Sequence, residues 1–506
     1  MSAAGETVRP EAMRALYARG GASVAFVGAD DGVTLTYEQL GGHVELLARR
    51  LAAAGISRGD RVALALGNGV DLVELLLAIT ALGAAAAPLN PAYTAEEFRF
   101  YLGDVGPKLL LLPETQPAAR RAAAAGGVPV ATVGGEVGAP PALHVEGRAL
   151  VAEASFSPGE PDDVAIVLHT SGTTSRPKQV PLRQANLMAS VRTIAAHYAL
   201  GPADVSFCVM PLFHVHGLVA STFSALGSGG CVVVPRRFTP QRFWPQARAH
   251  GATWLSAGPT LHQMILDKLD DEGAPASLRF VRSCSSALAP ALLERCEEIY
   301  KVPMLEAYGM TEASHQMASN PLPPAARKAG SVGIPTGLEI GVVDADRRFL
   351  APGEAGEVVI KGPSVTSGYI GNDAANAESF FDGWFRTGDR GVMRDGYLYL
   401  EGRLKEMILR GGENISPAEI EEVLLRHPAV ADAVCFGVPD ATYGETVAAA
   451  VRLCAPADER TLIGHCRASL TSVKVPKTIY ILDEIPRTAT GKVQRRRVAS
   501  FILEGK

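Results

Sequence analysis

"LHTSGTTSRPKQVPL", residues 168–182, crowds Thr170, Ser171, Gly172, Thr173, Thr174 and Ser175 into one short stretch and then adds Lys178. The apolar run "VAIVLHT" leading into it reads as a strand, and a helix is expected to begin near Arg183. A strand that runs into a hydroxyl- and glycine-rich loop turns backbone N–H and side-chain O–H donors toward one point, the arrangement that holds phosphate. Gly172 lets the chain approach such a ligand closely. The spacing is not that of the Walker A loop, which closes on Gly-Lys-Ser/Thr. The nature of the anion has to come from the rest of the chain.

Upstream, the sequence alternates helix and strand patterns. "TYEQLGGHVELLARRLAAAG", residues 36–55, opens on a Thr36-x-x-Gln39 capping box, spaces Leu40, Val44, Leu47 and Leu51 at helical intervals and stops at Gly55. The apolar run "RVALAL", a helix near residues 71–82 and the run "AAAAPLN" follow, the rhythm of βαβ units around a largely parallel sheet. Residues 116–147 are biased to Ala, Gly and Pro and are expected at the periphery. The last hundred residues read as a small α+β unit. It contains "NISPAEIEEVLLRHP", with a Ser416–Glu419 capping box and Pro417 at the first helical position, then strands "DAVCFGV" and "TVAAAVRL", a helix near 459–472 and a strand "TIYIL". The expected division is a large domain of residues 1–402 and a small one of residues 403–506, with the join in "GRLKEMILRGG".

Composition narrows the class. With 506 residues, 47% of them hydrophobic and 20% charged, the chain can bury a large core across more than one domain. A formal net charge of -5 gives no general attraction for nucleic acid or an anionic membrane. Seven cysteines without paired or zinc-like spacing suit a reducing compartment, and the N-terminus lacks the apolar segment of a secretion signal, so cytoplasm is the expected location.

Five motifs in order then carry a resemblance: "LHTSGTTSRPK", "EAYGMTE" at 306–312, "WFRTGDRG" at 384–391, "GRLKEMILRGGENISPAEIE" at 402–421 and "PRTATGKVQRR" at 486–496. Together they resemble the adenylate-forming enzymes, a group of acyl-CoA synthetases, peptide-synthetase adenylation domains and beetle luciferases, along essentially the whole chain. The resemblance implies an α/β N-terminal domain of mixed and parallel sheets with packed helices, capped by a hinged α+β lid. It also implies two half-reactions. A carboxylate attacks the α-phosphorus of Mg²⁺-bound ATP and releases pyrophosphate, and the thiol of CoA then displaces AMP.

Residue by residue, the resemblance places Thr170, Ser171, Gly172, Thr173, Thr174 and Lys178 at the polyphosphate. It puts Tyr308 and Gly309 at adenine, Thr311 and Glu312 at phosphate and Mg²⁺, and Asp389 and Arg403 at the ribose hydroxyls. Lys492 matches the catalytic lysine, whose compact charge suits bridging the carboxylate and the α-phosphate. Lys405 falls at the hinge. Gly411 and Gly412 would line a narrow path for the pantetheine arm of CoA, and Lys474 and Lys477, with Arg495 to Arg497, are candidates for its phosphates. One position departs from the pattern: Gln179 follows the loop lysine where the family has Gly, a costly exchange if the backbone there needs positive φ.

The acid is read from "PLFHVHG" (211–217), "SCSSALAP" (283–290) and "TEASHQMASNPLPP" (311–324), which bring His214, Ser285, Ser286 and His315 to the acyl side. Hydroxyls and imidazoles are poor company for a hydrocarbon tail and suit a short acid whose second carboxylate must be hydrogen-bonded once desolvated. His214 is also a position of the general family motif. The last two stretches look specifically like those of the oxalate–CoA ligases. Oxalate is the expected substrate; malonate, a short or medium-chain acid, or an adenylation enzyme loading a separate carrier protein are the alternatives.

Overall fold

The helix that Thr36 caps shows how the alternating sequence becomes layers. In the computed structural model, described for residues 11–18, 20–152, 154–170, 177–411, 413–487 and 493–504, Tyr37–Ala53 is helical and both hydrogen bonds of the Thr36–Gln39 box are made. Leu40, Val44, Leu47 and Leu51 form its buried stripe against the helix Val70–Ala81, which is apolar on nearly every side and almost wholly buried. The strands Arg61–Leu64, Ala85–Pro88 and Leu109–Pro113 pair in parallel beside these helices. Among the described residues they belong to an eight-stranded sheet. Residues 116–147 hold the helix Pro117–Gly126 and the strands Val130–Gly134 and Ala142–Val145 toward one edge of that sheet, so the Ala/Gly/Pro bias marks an edge.

The opening motif sits differently from the expectation. Val164–His169 does run into it, but Gln179–Arg183 returns as an antiparallel strand before the helix Gln184–His197 begins. The strands on either side of the loop therefore pair with each other, and the N-terminus of the following helix lies one strand beyond Lys178. Gln179 is an extended residue of that return strand, paired with His169. It is absent from the residues with positive φ, so its side chain carries no backbone strain.

A nine-stranded sheet among the described residues places Trp254–Ala257, Phe280–Ser283 and Met304–Met310 side by side in parallel. At its edge the chain turns through Thr311–Ala313 and comes back antiparallel as His315–Ser319. Both sheets contribute to one large core. A third sheet carries Trp384–Arg394 against Tyr397–Arg403. A fourth, with Ile408–Arg410, Val430–Asp440, Gly444–Leu453 and Thr478–Ile481, has two small cores of its own with the C-terminal helices. The architecture is thus a large α/β N-terminal region followed by a small α+β C-terminal one.

The Ser416 capping box does not form. Pro417 opens the helix Pro417–Leu425 as expected, but the Ser416 hydroxyl donates to the Glu401 carbonyl and Glu419 pairs with Lys474. Contact with a neighbouring strand outcompetes the local cap. Among the described residues no helix is long and apolar enough to cross a membrane.

Candidate active site

The hairpin Met304–Met310/His315–Ser319 carries Tyr308, Gly309 and His315 of the expected site, with Thr311 and Glu312 in its turn. Near one end, Tyr308 donates its hydroxyl to Asp389, and the other oxygen of that carboxylate takes Arg403 Nε at 2.7 Å. Asp389 and Arg403 face each other across adjacent strands, so strand register alone brings them together. Burial pushes the Tyr308 phenol well above its ordinary range, and the Asp389 charge pushes it the same way. Tyr308 therefore stays a neutral donor.

Glu312 follows in the tight turn, buried, with Tyr369 Oη donating to its Oε1 at 2.9 Å and its backbone carbonyl taking Thr366 N at 2.7 Å. Lys178 Nζ lies 4.3 Å from the Tyr369 ring centroid, so the loop lysine, the tyrosine and the carboxylate form a chain. Thr170 closes the base of the loop: its N–H donates to the Lys178 carbonyl and its hydroxyl accepts from Lys178 N. Ser171, Gly172, Thr173, Thr174, Gly412 and Lys492 lie outside the described residues.

Glu312 Oε2 and the Thr311 hydroxyl make no hydrogen bond among the described residues. A buried hard carboxylate oxygen with an open valence fits Mg²⁺, which takes one or two protein oxygens and fills its octahedron with phosphate and water. No three-ligand metal cage exists among the described residues. Nucleotide-borne Mg²⁺ does not require one.

The residues expected on the acid side lie beyond the same turn. His315 is buried with φ 104, Ser314 has φ 53 and Ser285 has φ 80, three non-glycine residues in the left-handed region. Gly309 lies directly against this backbone: a Cβ there would come within 2.2 Å of the His315 carbonyl oxygen. Ser285 Oγ is 2.9 Å from Nδ1 of His216, whose Nε2 is 2.7 Å from Ser256 Oγ. His216 and His315 rings are 5.0 Å apart. Beneath them Arg282 is fully buried, within hydrogen-bonding distance of Tyr198, Ser256, His216, His315 and Gln316.

Sequence reasoning had passed over Arg282, His216, Ser256 and Tyr369. His214 is half-buried with its ring against Phe213. Ser286, next to Ser285, is exposed. The two histidines of "PLFHVHG" differ because the helical segment His216–Phe223 begins at the second and carries it inward.

In the C-terminal region Lys405 is exposed and 3.7 Å from Glu378. Gly411 has φ 58, so any side chain there would be strained, although the space beside it is ordinary. Lys474 bonds both oxygens of Glu419 at 2.7 Å, and Lys477 pairs with Asp440 at 3.5 Å. Arg495 is not a surface cation: it is tied inward to Glu421, Glu406 and the Cys435 carbonyl.

Glu306, on the strand that leads to Tyr308, gives a pH test. Burial pushes its carboxyl up to about 7 from the ordinary 4.5, against one N–H from Gly330. The folded state holds this proton more tightly than the unfolded chain. Its contribution to stability is therefore full below pH 4.5 and is lost as pH rises through 7. Glu306→Gln keeps the Gly330 contact without the charge. Calorimetry should find its Tm about 2 °C or more above wild type at pH 8 and no higher at pH 5; a pH-independent difference would rule out the buried charge as the cause.

Sequence comparison agrees with this geometry. The chain matches the AMP-binding enzyme family over residues 13–370 and the AMP-binding enzyme C-terminal domain over residues 419–492. It belongs to the AMP-binding enzyme family, and within it is an ATP-dependent, AMP-forming acyl-CoA ligase. It is 47% identical to an oxalate–CoA ligase of Arabidopsis thaliana, with 93% of this chain and 94% of that protein covered. It is 39% identical to a sulfoacetate–CoA ligase of Cupriavidus necator, with 93% of both covered. Its fold matches that of O-succinylbenzoate coenzyme A synthetase from Bacillus subtilis, in complex with ATP and magnesium ion, with a TM-score of 0.84 at 30% identity over 96% of this chain and 98% of that one.

Proposed function

We propose that the acid this ligase activates is a small dicarboxylate, oxalate, giving oxalyl-CoA, AMP and pyrophosphate. The observation that carries this reading is the acid-side lining: a buried guanidinium, two imidazoles and two serine hydroxyls where a fatty acid would need a hydrocarbon slot. The names of the similar ligases point the same way, since oxalate and sulfoacetate both carry a second anionic group.

In the first half-reaction a carboxylate oxygen attacks the α-phosphorus and pyrophosphate leaves. Asp389 and Arg403 hold the ribose, Tyr308 borders adenine, and Thr170 to Thr174 with Lys178 wrap the outer phosphates. Glu312 and Thr311 would hold Mg²⁺, which supplies charge neutralisation on the departing pyrophosphate. Lys492 supports the charge passing between carboxylate and phosphate. The C-terminal region then turns about Lys405, removing Lys492 and presenting Gly411 and Gly412 to the pantetheine arm. CoA's thiol attacks the acyl carbonyl and AMP departs.

Pyrophosphate release measured over a panel of acids, with and without CoA, tests the substrate. Oxalate should exceed acetate and hexanoate in kcat/KM by about a hundredfold or more, because a pocket built to bond a polar group rejects analogues that lack it. Preference for hexanoate would end the dicarboxylate reading, preference for malonate would replace oxalate within it, and preference for sulfoacetate would replace the second carboxylate with a sulfonate.

A further inference from the structure

We propose that Arg282 is a positioning residue for the acid: from beneath the pocket it fixes which atoms of Ser256, His216, Ser285 and His315 are lone pairs and which are donors, so that donors alone face the second carboxylate. This rests on the dicarboxylate reading above and adds the device that would enforce it.

A guanidinium has five N–H donors and no acceptor. Here three are well bonded, Nε to Tyr198 Oη at 2.8 Å, one terminal nitrogen to Ser256 Oγ at 2.7 Å and the other to Gln316 Oε1 at 3.1 Å, while the remaining two are only turned toward His216 Nε2 and His315 Nδ1, each at 3.4 Å. The consequences propagate. Ser256 Oγ, accepting from Arg282, is left to donate its own proton to His216 Nε2 at 2.7 Å. With its lone pair on Nε2, neutral His216 carries its proton on Nδ1 and donates to Ser285 Oγ at 2.9 Å. Ser285, held at φ 80, then has its O–H to give. His315 turns its Nδ1 to the guanidinium at 3.4 Å, the orientation that favours a lone pair on that atom. His216 relays the order set by Ser256 to Ser285, and Arg282 supplies the fixed positive charge beneath them.

Two further observations point to an anion. Among the described residues Arg282 is fully buried yet forms no ion pair with a carboxylate, a costly state for a charge unless a ligand completes it. Gln316, also buried, gives its Oε1 to Tyr198 and Arg282, which leaves its Nε2 donors without a partner. The cluster has a surplus of donors and one unbalanced positive charge.

The test compares oxalate with glycolate, which has a hydroxymethyl group in place of the second carboxylate, using the full-length enzyme with ATP, Mg²⁺ and CoA. In Arg282→Gln the KM for oxalate should rise by about 30-fold or more, while that for glycolate rises by a tenth as much and the KM for ATP stays within about threefold. Arg282→Lys, which keeps charge without the fork, should recover part of the oxalate preference. Ser256→Ala keeps the cation and cuts the relay, and should raise the oxalate KM by about five- to tenfold. It carries the test alone if the Arg282 variants fail to fold. Parallel loss with both acids, or an unchanged oxalate KM in Ser256→Ala, overturns the assignment of Arg282 while leaving the substrate intact. A wild-type enzyme that prefers glycolate overturns the substrate and this inference together.

Discussion

Lys492→Ala should slow adenylate formation by about two to three orders of magnitude and leave thiolysis of preformed adenylate much less affected. A preorganised donor at a developing charge contributes about 3–4 kcal/mol, and that loss falls wholly on the step in which the donor is present. The proposed swing takes Lys492 away before CoA attacks, which is why the second half-reaction is spared. Single-turnover pyrophosphate release gives the first rate, and acyl-CoA formation from chemically prepared adenylate gives the second. Equal damage to both would show that Lys492 holds the fold or the nucleotide instead.

Asp389→Ala should weaken ATP by about 30- to 100-fold, seen in the KM for ATP, with a smaller fall in kcat. Its buried carboxylate organises Tyr308 and Arg403 and, in the proposed complex, receives the ribose hydroxyls. Hydrogen bonds to a charged group contribute about 1.5–3 kcal/mol each, and losing this set leaves Arg403 without its partner. A cycle with 2′,3′-dideoxy-ATP isolates the ribose contribution. The wild type should lose affinity for that analogue, and the variant should lose little more. A variant that still discriminates as strongly would place the ribose elsewhere.

The parts of this molecule that sequence conveyed are those governed by local rules. The Thr36–Gln39 box and the helix after it form as the spacing predicts, and the parallel strands fall where short apolar runs lie between helices. Tyr308, Glu312, Asp389 and Arg403 were placed by motif, and the strands do bring Tyr308, Asp389 and Arg403 into contact. What sequence did not convey depends on long-range packing. Ser416 abandons its cap for a carbonyl on another strand. Tyr369 sits in a segment without periodicity, 57 positions from the glutamate it bonds. Arg282 left one visible trace, a charge inside the apolar strand Phe280–Ser283. Its meaning needs Ser256, His216, His315 and Gln316 from other elements. Arg495 looked like a phosphate ligand because a run of three arginines carries no record of which one points inward.

That inward arginine would limit how the C-terminal region pivots in the proposed swing. Arg495 clasps Glu406, just past Lys405, together with Glu421 of the helix Pro417–Leu425 and the Cys435 carbonyl. A swivel beyond Glu406 would tear a shielded ionic knot, whereas one at or before Lys405 carries the knot along whole. In the proposed swing the clasp would weld the trailing end of the hinge to the region that moves, so the angular freedom would come from the few bonds preceding Glu406.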